Sequence, residues 1–330
     1  MPKTQQLSQK IEKRRIRKIN PFSILKSKTA GVGFIFAMMA AAFSALPNVI
    51  PKAIMNENTV DNSIVPNPIM LVFVIYVVNS LLFSPLRRPP KKNQNVKTKK
   101  ITLVLLVLLG AAEASGTLSY TVGLEETTAT NASILVNSET IFAILLGVMI
   151  FKEKLGKQEM LPFFLIVIGS IIIPVVSDMH NNNWQLEDFM IGDLFVVASG
   201  FFYCLDTFIA KKLDDSVNTK HIVHIMSCTG AVMTLGLMVL FEIPFDISFE
   251  QLSVMSIVGF LGIGVTMMFF VIALRLIGAV RTVLIYSTTT VFSIVYSATI
   301  LSETITILNI ASAGIVLFGL VVLRNRISSD

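Results

Sequence analysis

Apolar residues along this chain gather into blocks of about 19–23, separated by short stretches of charge, Pro, Asn and Gly; a helix of that length crosses a hydrocarbon layer of about 30 Å. Read in order, the blocks predict ten spans: 30–51, 67–85, 101–121, 129–151, 159–177, 191–210, 222–242, 252–274, 279–301 and 306–323. The expected fold class is therefore an all-α polytopic membrane protein.

Composition agrees with the pattern. Hydrophobic residues make up 53% and charged residues 15% of the chain, against about 45–50% and about 25% in soluble domains, so a soluble core could not hide this much apolar sequence. The two cysteines, Cys204 and Cys228, both fall inside apolar runs, which indicates neither a disulfide framework nor a cysteine metal site. Residues 1–28 are basic and polar without an apolar leader region, so the first span is expected to act as the insertion signal.

Charge sets the expected orientation. Ten spans return the chain to the side on which it began, and of the 27 Lys and Arg residues only Lys52 then falls on the opposite side. Nine are in the N-terminal tail and seven in the loop at 86–100. The opposite loops carry acids, among them Glu57, Asp61, Asp178, Glu187, Asp188, Glu242, Asp246 and Glu250. The positive-inside rule places both termini in the cytoplasm of a multi-pass protein, with the cell membrane as the expected location. The basic run Lys10–Lys18 is read as a topology determinant that touches anionic lipid headgroups, so the lipid bilayer and not nucleic acid is its partner.

The chain also repeats itself. Residues 124–169 and 274–319 align at a constant offset of 150, pairing Leu124, Ala129, Thr140, Phe142, Ile144, Ile150, Glu153 and Gly169 with Leu274, Ala279, Thr290, Phe292, Ile294, Ile300, Glu303 and Gly319. Five spans per half is an odd number, so the second half runs through the membrane inverted relative to the first. The organisation expected is a basic tail (1–28), two five-helix repeats (29–177 and 178–323) and a short cytoplasmic tail (324–330). Secondary transporters use inverted repeats to exchange inward-open and outward-open states around a midplane site.

The residues that carry the repeat also carry a resemblance. Gly123-Leu124, Ala132-Ser133, Asn137-Ser138-Glu139, Phe142 and Phe151-Lys152-Glu153-Lys154-Leu155 in the first half, with Ala273 to Arg281, Phe292 and Ser302-Glu303-Thr304 in the second, resemble the ten-span EamA-type carriers of the drug/metabolite transporter superfamily. The resemblance covers nearly everything after about residue 28. It implies a cavity lined by spans 1, 3, 4, 6, 8 and 9, and substrates ranging over amino acids, amphiphiles, sugars and nucleotide conjugates. Where the family often has a proline in the fourth and ninth spans, this chain has Thr140 and Thr290, which removes the usual reason for a kink there. The Pro- and Asn-containing loop at 47–67 is longer than the pattern.

Ionisable groups at bilayer depth are costly, by about 2.5–3.5 kcal/mol on insertion scales, and so point to function. Glu113 lies near the middle of span 3, Glu139 near the middle of span 4, and Asp206 in the cytoplasmic half of span 6. At about 100° per residue, Glu113, Thr117 and Tyr120 share one face of span 3, and Thr128, Asn131, Ser138 and Glu139 fall within one arc of span 4 with Phe142. Asp206 shares a face with Ser199 and Tyr203, and it could instead pair with Lys211 or reach the interface. The mates of Ser138 and Glu139 in span 9 are Thr288 and Thr289, and Glu113 has Ile263, so the expected site is acidic on one half and hydroxyl-rich on the other. Two carboxyls in one dry site cannot both ionise cheaply, which suits them to proton coupling or to a cationic part of the solute.

Other features are given plainer roles. Glu153 and Glu303 close spans at opposite surfaces, where loop geometry and interfacial hydrogen bonds account for them, and Arg275 and Arg281 flank a turn. Met267-Met268-Phe269-Phe270 reads as packing, and Gly31-x-Gly33 and Gly262-x-Gly264 as small-residue helix contacts. His221 and His224 lack a third ligand, so no metal is expected, nor any cofactor.

The spans hold no nucleophile–base pair, and the chain holds no ATP-binding motif, so the expectation is a carrier and not an enzyme, driven by a gradient or by exchange. The alternative is a non-transporting receptor or assembly subunit. A channel lacks a selectivity segment. The partners expected are a small-molecule solute, the bilayer, protons, and a second copy of the chain in a homodimer.

Overall fold

The computed structural model describes residues 21–55, 65–84, 100–151, 160–169, 189–213, 217–277, 282, 285–286 and 288–327. Its helices are α1 (Pro21–Met55), α2 (Pro68–Phe83), α3 (Lys100–Glu126), α4 (Ala129–Leu135), α5 (Ser138–Phe151), α6 (Met160–Val167), α7 (Phe189–Lys212), α8 (Thr219–Leu240), α9 (Phe249–Val258), α10 (Thr266–Ile277), α11 (Thr289–Tyr296) and α12 (Ile307–Ile327). Among the described residues there is no strand, and each of the ten apolar runs contains helix. Five helical stretches are long and apolar enough to cross a bilayer by themselves: Gly31–Met55, Lys100–Glu126, Ile191–Ala210, Thr219–Leu240 and Phe249–Ile277. Glu153, Gly278, Arg281, the basic loops at 86–99 and 152–158, and the loop acids Glu57, Asp61, Asp178, Glu187 and Asp188 lie outside the described residues.

Local chemistry explains where these helices start. Pro68 opens α2, and Asn67 Oδ1 accepts the Ile69 N–H at 2.9 Å. Asn218 Oδ1 caps α8 through Lys220 N at 3.0 Å, and Ser248 with Gln251 forms a capping box at α9. The first helix continues through Pro47 and Pro51 to Met55, so the first part of the segment expected as a long loop is helix. A proline in mid-helix leaves one carbonyl without its helical partner, which neighbouring helices can tolerate or satisfy.

Span 4 breaks at Val136–Asn137, between α4 and α5, although it has no proline. The agent is Asn137, whose Nδ2 donates to Ile134 O at 2.9 Å and to Thr290 Oγ1 at 2.9 Å, competing with the regular backbone ladder. Span 9 turns at Thr288, the repeat mate of Ser138, where Thr288 N bonds Ile285 O. The kink therefore survives without proline. Span 8 contains a π-helical segment, Gly259–Val265, between α9 and α10, and a second one, Ser297–Leu301, prolongs α11.

Packing follows the repeat. Writing the inverted relation as 1 to 6, 2 to 7, 3 to 8, 4 to 9 and 5 to 10, the contact of span 3 on span 6 has its image in span 8 on span 1. That of span 4 on span 6 has its image in span 9 on span 1. The self-symmetric pairs 2 with 7, 4 with 9 and 5 with 10 also touch. The two halves thus interlock instead of sitting side by side. Small residues allow the close approach: Ala37, Ala40, Ala41 and Ala45 of α1 are buried, and Gly262 and Gly264 sit against Pro47 and against Asn79 and Phe83 with no room for a Cβ. Leu81, Leu194, Val239, Phe249 and Ile307 lie outward and exposed, as lipid-facing residues do.

Candidate functional site

The polar side chains of several spans converge on one cavity between the halves. It encloses about 1110 Å³ of empty space, counting its open mouth. Span 1 contributes Ser44, Pro47 and Asn48, span 3 Glu113, Thr117, Tyr120 and Thr121, and span 6 Tyr203, Asp206 and Thr207. Span 4 adds Val136 to Thr140 apart from Ser138, span 8 the stretch from Gly262 to Phe270 in part, span 9 Tyr286, Thr289 and Thr290, and span 2 only Ile75.

Three carboxyls stand in this space. Glu113 is at the centre of α3. Asp206, from α7, borders the same space. Asp206 is only 7% exposed, and its Oδ1 is buried without a donor of its own. Glu139 reaches the cavity because the break at Asn137 starts a new helix there, placing the acid in the first turn of α5, where the helix dipole favours negative charge. Its Oε1 accepts a hydrogen bond from Thr207 Oγ1 at 3.1 Å. Gly200 lets α7 close on this turn, since a Cβ at that position would stand 2.7 Å from Glu139 N.

Hydroxyls and aromatic rings fill the walls between the acids. Thr117 Oγ1 is shared by Tyr76 OH at 2.9 Å and Tyr203 OH at 3.4 Å, which joins spans 2, 3 and 6 one helical turn from Glu113. Tyr120 OH donates to Asn48 O at 3.2 Å. Across the cavity, Ser44 and Thr289 hydroxyls are 2.9 Å apart, Asn48 Nδ2 donates to Ser293 Oγ at 3.3 Å, and Tyr286 packs edge-on against Phe270 with centroids 4.9 Å apart. No Lys, Arg or His lines the cavity among the described residues.

Of the residues singled out in the sequence, Glu113, Thr117, Tyr120, Glu139, Tyr203, Asp206 and Thr289 border the cavity. Asn131, Ser138 and Thr288 lie off it. Asn131 Oδ1 accepts from Asn309 Nδ2 at 2.7 Å, Ser138 Oγ donates to Val197 O at 3.2 Å, and Thr288 Oγ1 donates to Ile285 O at 2.6 Å. The single arc expected across 128–142 does not form, because the break at Val136–Asn137 separates Asn131 and Glu139 onto different helices. Met267 and Phe270 of the run read as packing border the cavity, while Phe269 stacks on Phe36 at 5.3 Å. Ser44, Asn48, Thr207, Tyr286 and Thr290 escaped the sequence reading. Their only sequence signal is a polar group inside an apolar run, which a packing residue shares.

Residues at span ends and beside them tie neighbouring helices together. Ser302 adopts a left-handed backbone (φ 54°), turning Glu303 back onto the start of α4. There its carboxylate accepts from Ala129 N at 2.9 Å, Thr130 N at 3.0 Å and Thr130 Oγ1 at 2.8 Å, and also from Ser297 Oγ. At the opposite end Arg275 donates to Val217 O at 2.8 Å and to Thr219 Oγ1 at 3.2 Å. His224 Nδ1 lies 3.0 Å from Ser80 O.

Known proteins share this sequence pattern and this architecture. The family model for EamA-like transporters matches the chain twice, over residues 31–174 and 190–325. An uncharacterized transporter of Methanothermobacter thermautotrophicus is 25% identical over 305 residues, covering 88% of this chain and 85% of that protein. An uncharacterized transporter of Clostridium kluyveri is 22% identical over 181 residues, covering 54% of this chain and 56% of that one. A solved crystal structure shares the fold with a TM-score of 0.60 at 12% identity, over 90% of this chain and 97% of its own. The double match, one to each half, shows that the chain belongs to the EamA-like transporter family and is an integral, multi-pass membrane transporter.

Proposed function

We propose that this transporter is a secondary active carrier of a small cationic or zwitterionic metabolite, working by alternating access around the central cavity. The observation that carries the reading is the cavity's charge: three carboxyls, hydroxyls and aromatic rings, with no described basic side chain. Such a lining attracts a solute with a positive group and repels anions. The inverted packing of the halves supports alternating access, since two interlocked structures of opposite sense can rock about a fixed site. Protons are the natural coupling ion, because three carboxyls that share one cavity inside the membrane cannot all carry charge cheaply. The excess of Lys and Arg on one side supports a cell-membrane protein with cytoplasmic termini, which protease protection of a C-terminal tag in sealed vesicles would check.

The test is flux. A thermal-shift screen of the detergent-purified protein against cationic, zwitterionic and anionic metabolites selects solutes, which are then followed in proteoliposomes. Glu113→Gln and Glu139→Gln should each reduce flux at least about tenfold and flatten its dependence on pH. Unchanged rate and pH profile in both variants, or a preference for anions, would sink the reading. Binding without flux would favour a receptor instead.

A further inference from the structure

The groups that line the cavity differ in what they have left to offer a solute. Its amides and hydroxyls give their protons to the protein. Asn137 Nδ2 donates to Ile134 O and to Thr290 Oγ1, both at 2.9 Å, which engages both of its N–H groups. Asn48 Nδ2 donates to Ser293 Oγ, and Tyr120 OH to Asn48 O. Tyr203 OH donates to Thr117 Oγ1, Thr289 Oγ1 to Tyr286 O at 2.6 Å, and Thr290 Oγ1 to Ser133 O at 3.2 Å. The backbone does the same where span 4 breaks: Ile134 O, Val136 O and Asn137 O hold the N–H groups of Asn137, Glu139 and Thr140. Carboxyl oxygens are in surplus. Asp206 borders the cavity at 7% exposure, and its Oδ1 is buried with no hydrogen-bond partner among the described residues. Glu113 and Glu139 bring two more carboxyls to the same space.

Resting on the carrier reading above, we infer that the cavity takes an alkyl- or arylammonium cation without a carboxylate, and that it excludes amino acids and other zwitterions. An ammonium brings N–H donors and a positive charge, which the carboxyls of the lining can use. A carboxylate brings only acceptors. It would stand beside three carboxyls with no described basic side chain to pair with, while the amide and hydroxyl donors named above are engaged within the protein. Asp206 bears most directly on the preference, since a buried acceptor without a donor is costly until a solute supplies one. A quaternary ammonium has the charge but no N–H, and so meets only half of the requirement.

The remainder of the lining fits an apolar body. Ile263, Met267 and Phe270 of span 8 border the cavity, and Tyr286 packs edge-on against Phe270. Hydrocarbon buried against these groups leaves water, which adds affinity without calling for further donors.

Probes that differ by one group, titrated calorimetrically into the detergent-purified full chain at neutral pH, test this ligand class. 2-Phenylethylammonium should bind. Phenylalanine, which adds a carboxylate to it, should bind about a hundredfold or more weaker. Phenylalaninamide, with an uncharged amide of similar bulk, should stay within about tenfold of the simple amine, and the N,N,N-trimethyl amine should bind about tenfold or more weaker than it. Asp206→Asn removes a charge and adds N–H donors, so it should weaken the amine about tenfold or more and narrow its margin over phenylalanine; a purely structural role for Asp206 would weaken both probes alike. The comparison of probes on the wild type does not depend on that variant folding. No binding of 2-phenylethylammonium, equal binding of phenylalanine or of the trimethyl probe, or a folded Asp206→Asn protein with the wild-type margin overturns the inference. Flux in proteoliposomes separates the two readings: flux of a zwitterion with none of the amine leaves the carrier standing and defeats this ligand class, while amine binding without flux of any solute does the reverse.

Discussion

Glu303 illustrates how a residue at a span end can act across the molecule. From the end of span 9 it takes the N–H groups of Ala129 and Thr130, which open α4 and have no helical partner of their own. One carboxylate therefore caps a helix of the other half. Glu303→Ala should cost about 1–2 kcal/mol, as loss of a helix cap does, and lower the melting temperature of the purified protein. An unchanged melting temperature would mean that water replaces the carboxylate without loss. The cavity acids are a different class of residue. Glu113, Glu139 and Asp206 could be read from the sequence because an ionisable group in an apolar run needs a reason to be there. Ser44, Asn48 and Thr290 could not, since a small polar residue bonds equally well to a neighbouring helix or to a solute.

At the scale of elements, the break in span 4 determines what the acids can do. A continuous helix would turn Asn131 and Glu139 toward one side; the interruption at Val136–Asn137 releases Asn131 to pair with Asn309 and sets Glu139 at a helix start. The break depends on Asn137, which bonds across to Thr290. Asn137→Leu should restore helical continuity, remove that bond and lower flux at least about tenfold. Wild-type flux would show the break to be dispensable. The same turn depends on Gly200, whose Cα lies against Ser138 and Glu139. Gly200→Ala should destabilise the protein by about 1–3 kcal/mol through overpacking and impair flux. Gly236→Ala, in open space, should do neither, as paired melting curves and flux assays would reveal.

For the whole molecule, the pairing of spans implies motion between halves if alternating access operates. Thr130 and Ser297 belong to opposite halves, and their hydroxyls are 2.9 Å apart beside Glu303. Replacing both with Cys, in a background where Cys204 and Cys228 are Ser, should permit a cross-link whose formation stops flux and whose reduction restores it. Full flux by the cross-linked protein would show that this end does not open. The outward faces carry large apolar side chains, while hydroxyls, amides and carboxyls gather around the cavity inside an otherwise apolar core, consistent with a solute path through a bilayer.

The all-helical membrane fold was written in the sequence because a bilayer imposes its thickness on every helix that crosses it, and the repeat followed from the register of 150 residues. The deepest acids were legible for the same energetic reason. Only the tertiary structure decided which oxygens meet. It brought Glu113 and Asp206 of spans 3 and 6 to one cavity, gave Glu139 its hydroxyl from Thr207, and turned Asn131, Ser138 and Thr288 to bonds off the cavity. Periodicity fixes the angle of a side chain about its own helix. The partner it meets depends on how the helices cross, and in span 4 on a break that no repeating pattern announces.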